Sequence, residues 1–230
     1  MRRFLGLLLA IPLAAGAGAV AIASPQFSST FGLTFSAATP GAPSGLDVSA
    51  TWSDPGGANG VPKAVTKLEF VGPPGTRFDT SALPRCRASD EDIANLSVRA
   101  CPRSSKIGSV KGKGLIVTGN PFNTVATLFN GPRQIIVIVR LVDDGRLITY
   151  FRDDVRRSSV AVNLKIPGGV ALTSFEAHLP RHYRRYKGKR RSYLRTPSTC
   201  PASGVWTITA IFTYRDGSSE KRTAVTPCQG

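Results

Sequence analysis

Acidic residues are scarce in this chain. Fourteen Asp and Glu face thirty Lys and Arg over 230 residues, a formal charge of +16. That shortage argues against a calcium loop, which takes about six to eight oxygens from spaced acids. Asp143-Asp144 and Asp153-Asp154 are adjacent pairs without that spacing: the first belongs to a turn, and the second has Arg152, Arg156 and Arg157 as neighbours to pair with. Histidine is nearly absent too. His178 and His182 flank Pro180 and read as polar strand-end residues, and no CxxC occurs, so no zinc site is expected. There is no GxSxG and no Walker spacing. The glycine-rich Gly108–Gly114 (GSVKGKG) reads as a basic hairpin turn. Nothing calls for a metal or an organic cofactor, no catalytic residue can be named, and the expectation is a protein without enzymatic activity. Internal repeats are lacking, as is any break in composition that would mark a second domain.

Long apolar runs are confined to the N-terminus. Arg2 and Arg3 precede an uncharged stretch from Phe4 to Ala23 that closes on Ala21-Ile22-Ala23, the small-x-small pattern of signal-peptidase cleavage. The expectation is an exported protein, with residues 1–23 removed as a signal peptide. The alternative is a retained anchor, since the run could just span a bilayer. Pro12 and the Ala/Gly-rich second half weigh against it, and no Cys follows the run to carry a lipid. After cleavage no membrane span is expected, and the net charge is +14 once two arginines leave the +16. A secreted or cell-wall location follows.

The chain has four cysteines, Cys86, Cys101, Cys200 and Cys228. An even, small number in an exported chain reads as two disulfides. Three connectivities are possible, and proximity in sequence favours Cys86–Cys101 with Cys200–Cys228.

Residues 24–45 are rich in Ser, Thr, Ala, Gly and Pro and read as a flexible lead-in, although Phe27, Phe31, Leu33 and Phe35 alternate and could form one edge strand. A single β-rich domain is expected over 46–230. Leu46, Val48, Ala50 and Trp52 alternate with polar residues, as do Val160, Val162, Leu164 and Ile166, and Trp206, Ile208, Ala210, Phe212 and Tyr214. Period two marks strands with one face on a core. Ile135–Val139 is apolar on both faces and should be an interior strand. Asp144-Gly145 and Asp216-Gly217 are tight-hairpin signals. Ser89 with Asp92 three residues on forms a capping box, and predicts one short helix over 90–96. The fold class is all-β, an antiparallel sandwich, immunoglobulin-like or related, with one short helix and two disulfides.

One segment exceeds background. Residues 181–195 hold eight Lys and Arg (Arg181, Arg184, Arg185, Lys187, Lys189, Arg190, Arg191 and Arg195), three Tyr including Tyr186, and no acid. Positive charge finds phosphate or sulfate, while rings stack on bases or sugars, so an anionic cell-wall polymer is the expected partner. Export argues against genomic nucleic acid. The bland reading is a solvated basic loop. The expected function is therefore a non-catalytic binding or structural protein of the cell envelope. The alternative is an envelope-directed hydrolase whose acids spacing does not reveal.

Two stretches carry a resemblance. Gly72–Cys86 continuing to Ala100–Ser109, and Tyr193–Pro201 with Gly204-Val-Trp206, Phe212–Gly217 and Cys228, are similar to a group of uncharacterised exported actinobacterial proteins. The resemblance covers roughly residues 60–230 and implies an exported protein with one Cys pair in each half. It implies no catalytic residue.

Overall fold

Strand β1 (Ser28–Phe35) and strand β2 (Leu46–Ser53) show how the sequence becomes sheet. Along β2 every second side chain is buried, the set being Leu46, Val48, Ala50 and Trp52, while Asp47, Ser49, Thr51 and Ser53 face water. A one-residue slip would turn Trp52 outward, so the register is firmly specified. The computed structural model describes residues 26–186 and 188–230; the expected signal segment 1–23 lies outside them.

The chain continues through β3 (Val65–Val71), β4 (Arg77–Phe78), helix α1 (Asp90–Leu96), β5 (Lys106–Ile116), β6 (Pro121–Asn130), β7 (Gln134–Leu141) and β8 (Leu147–Asp154). After these come β9 (Ser159–Asn163), β10 (Val170–Leu179), β11 (Tyr183–Tyr186), β12 (Lys189–Ser192), β13 (Leu194–Arg195), β14 (Val205–Tyr214) and β15 (Ser219–Pro227). All pairings are antiparallel. A seven-stranded sheet runs β1-β2-β10-β5-β6-β7-β8 and a four-stranded sheet runs β15-β14-β3-β9.

The two sheets face each other as a sandwich, fastened at one side by aromatics. Phe31 stacks on Phe70 at 5.9 Å, Trp52 meets Phe212 edge-on at 5.2 Å, and Phe35 meets Trp206 at 5.8 Å. Such pairs add about 0.5–1.5 kcal/mol beyond area burial. The edges nearly close. Val155 bridges Val160 where β8 approaches β9, and Arg222 Nε donates to Ser29 Oγ at 2.9 Å where β15 approaches β1.

A second core lies on the outer face of the large sheet. Ile136, Ile138 and Phe129 there pack against Ile93 and the Cys86–Cys101 disulfide. This explains why Ile135–Val139 is apolar on both sides: Ile135 and Val137 face the sandwich, and Ile136 and Ile138 face the disulfide loop. Helix α1 begins on the full capping box, with the Ser89 hydroxyl accepting from Asp92 N and the Asp92 carboxylate accepting from Ser89 N. Arg152 ties that loop to β8, donating from Nε to Asp90 Oδ1 at 2.8 Å and from Nη2 to Ala88 O at 2.6 Å. The second disulfide, Cys200–Cys228, joins the segment before β14 to the residue after β15. Both bridges thus follow the pairing that proximity favours.

Three expectations are corrected. Residues 28–35 are an edge strand of the main sheet instead of part of a flexible lead-in, because Leu33 and Phe35 bury against the opposite sheet. Gly108–Gly114 lies inside β5, not in a turn. A Cβ on Gly112 would stand 2.5 Å from Thr124 Oγ1, and one on Gly114 would overlap the Phe122 ring, so glycine is required by the strand alongside. The alternating run from Val160 pairs only as far as Asn163, after which Leu164–Gly169 is loop.

Candidate anion-binding site

The basic segment folds as a hairpin. β11 and β12 pair around Gly188, whose φ of +72° is the left-handed conformation that glycine adopts freely. The register sets Arg184 opposite Arg191 and Arg185 opposite Arg190. Directly opposed like charges destabilise a ladder, so this hairpin carries an electrostatic cost that a bound anion would relieve. Lys187 lies outside the described residues, and for Tyr186, Lys189 and Arg190 only the backbone is described.

A third such pair sits beneath it. β4 pairs with β13, which places Arg77 opposite Arg195. Phe78 N donates to Arg157 O at 3.0 Å, bringing the β8–β9 turn to the same place. Arg77, Arg157, Arg191 and Arg195 with Ser192, Phe78 and Asp79 line a pocket of about 480 Å³. Asp79 is the one carboxylate among these residues. Its Oδ1 accepts from the Ser81 backbone and hydroxyl, and Arg191 Nη2 stands 3.7 Å from its Oδ2. Arg195 Nη1 donates to Gly41 O at 3.0 Å. Among the described residues, Arg77 and Arg157 have neither an ion pair nor a side-chain hydrogen bond, and both are exposed. Ser192 is 3 % exposed and its Oγ has no partner among the described residues. A buried hydroxyl normally finds one, and here it lines a cationic pocket.

The residues foreseen from sequence therefore divide. Arg191 and Arg195 converge on the pocket, and Arg184 stands opposite Arg191 in the hairpin. Arg181 is exposed, with Nη2 3.5 Å from Ser36 O. Tyr193 is not a stacking surface: its ring is buried against Phe78, and burial drives its phenol pKa far up. Tyr183 is half-exposed. Arg77, Arg157 and Asp79 escaped the sequence reading because they lie far away along the chain and meet only through strand pairing. Asp153 also differs from its expected role. It is buried, accepts from Asn163 N at 2.9 Å and Asn163 Nδ2 at 3.1 Å, and does not pair with the arginines beside it. His178 and His182 sit at the strand end as expected; His178 bonds Asp47 and His182 Nε2 donates to Ile107 O at 3.1 Å.

A second cavity lies between the sheets. It measures about 210 Å³ and is lined almost wholly by apolar side chains of β2–β10. Its Phe78 end abuts the arginine pocket.

Comparison with protein-family models, with curated proteins and with solved structures gives no match. Two disulfides imply a non-reducing environment. No helix among the described residues is long and apolar enough to cross a membrane.

Proposed function

We propose that this is an exported, non-catalytic binding protein of the cell envelope that holds an anionic polymer at the arginine pocket and the hairpin above it. The observation that carries this reading is the set of three directly opposed Arg–Arg pairs, Arg184 with Arg191, Arg185 with Arg190 and Arg77 with Arg195. A fold with no anion to bind gains nothing from such a set, and it bears the repulsion. Ser192 Oγ, without a partner among the described residues, adds a donor of the kind a phosphate or sulfate oxygen accepts. Export is supported by the two disulfides together with the Arg2-Arg3 start and the Ala21-Ile22-Ala23 ending of the leading apolar run.

The hairpin tests the reading cleanly because it lies outside both cores. Arg184, Arg185, Lys189 and Arg190 changed together to Ser should release the protein from isolated cell envelopes at clearly lower salt than the native chain, with an unchanged melting temperature. Equal retention of the two proteins would reduce the segment to a solvated loop.

A further inference from the structure

The two halves of the sandwich interior are packed differently. On one side Trp52, Phe212, Phe31 and Phe70 fill the space between β2, β1, β14 and β3. On the other, β5 and β6 present Val110, Gly112, Thr124 and Ala126 to the interior, and a cavity separates them from Leu68, Phe70, Val160 and Val162 of the facing sheet. Val139, Val162, Leu172 and Ala177 face the interior yet remain half-exposed. Protein cores are close-packed, and this interior departs from that with a cavity of about 210 Å³. It exceeds the ~150 Å³ of an engineered apolar cavity that stays dry and takes up benzene. Thr124 Oγ1 donates to Gly112 O, so this hydroxyl is already satisfied within the protein. Along β6 the cavity is lined by Phe122, Thr124, Ala126 and Leu128, a length of about 20 Å at roughly 3.3 Å per residue. One end reaches exposed Lys165 and Pro167; at the other, Phe78 lines both this cavity and the arginine pocket.

We propose that the cavity receives one alkyl chain of an anionic amphiphile whose head group lies among Arg77, Arg157 and Arg191. The head-group half rests on the anion-binding reading above, whereas the chain half rests on the cavity alone. A long and largely apolar space suits a flexible hydrocarbon chain. A cationic pocket at its mouth suits a phosphate or carboxylate attached to that chain.

The test uses the folded protein with n-alkyl phosphates from octyl to dodecyl, beside inorganic tripolyphosphate, by calorimetry. Affinity should rise about fourfold for each CH₂ added, as burial of each methylene requires. Ala177→Phe should fill the cavity and weaken dodecyl phosphate binding at least about tenfold, the equivalent of losing two methylenes. Tripolyphosphate binding should be unchanged. Val139→Phe, on a different strand, provides the same test if the first variant fails to fold. Affinity independent of chain length, or native binding of dodecyl phosphate by the filled variants, overturns the chain proposal, and intact tripolyphosphate binding then leaves the anion reading standing. Chain-length dependence with no tripolyphosphate binding overturns the head-group assignment and the anion reading together.

Discussion

Asp153 shows how much one side chain can be governed by its surroundings. Burial raises its pKa above the ordinary 3.8; hydrogen bonds from Asn163 oppose the shift and Asp154 next to it adds to it. Its Oδ2 has no partner among the described residues. Because the folded carboxyl holds its proton more tightly than the unfolded one, the native state binds more protons just above pH 3.8. The contribution of Asp153 to stability is therefore complete below that pH and is lost as pH rises through the folded value. Asp153→Asn, which cannot ionise, should flatten this part of the profile: the fall in urea midpoint between pH 4 and pH 7 should be smaller than in the native protein. Parallel profiles would show that the buried carboxylate is neutralised by something other than its own proton.

At the scale of elements, the disulfide loop is a lid over the outer face of the large sheet. Ile93 reaches Ile136 and Ile138 from a helix of only two turns, and Cys86–Cys101 together with Arg152 holds it there. Closing a fifteen-residue loop stabilises by about 3 kcal/mol in the chain-entropy model. Changing Cys86 and Cys101 together to Ala should lower stability by roughly that amount in urea titration, with the far-ultraviolet β signal intact at low urea. A loss below about 1 kcal/mol would mean that packing alone secures the loop.

The same scale explains what could be read in advance. The period-two pattern of Leu46–Trp52, the capping box at Ser89 and the glycine turns at 145 and 217 are local signals, and each produced the element it announced. The alternation of Phe31, Leu33 and Phe35 allowed an edge strand within a Ser-, Thr- and Gly-rich stretch, and pairing with β2 and the burial of Leu33 and Phe35 make it one. Gly112 and Gly114 mimic a turn in sequence, because the reason for them lies in Thr124 and Phe122 on β6. In the site, the basic run at 181–195 was visible. Its partners Arg77 and Arg157 were not, being more than twenty residues away along the chain. The apolar cavity was hidden for a similar reason: alternation says which side chains point inward, and says nothing of whether they meet.

For the whole molecule, charge and shape point the same way. Against a formal surplus of +16 over the whole chain, Arg77, Arg157, Arg191 and Arg195 meet at one pocket, and Phe78 lines both this pocket and the apolar cavity between the sheets. Elsewhere single acids do take up local cations, as Asp216 does with Lys63 at 2.9 Å, its pKa held far down first by the Ser218 hydroxyl. Arg77 and Arg157 have no such counter-charge among the described residues. The measurement that bears most directly on this is the salt dependence of binding to linear polyphosphate. The native protein should show log K falling linearly with log salt, since each neutralised phosphate releases condensed counterions. Arg77→Gln with Arg157→Gln should bind more weakly and shallow the slope by about 1.4–1.8, two contacts' worth at roughly 0.7–0.9 each. A double variant with the native affinity and the native slope would contradict the account.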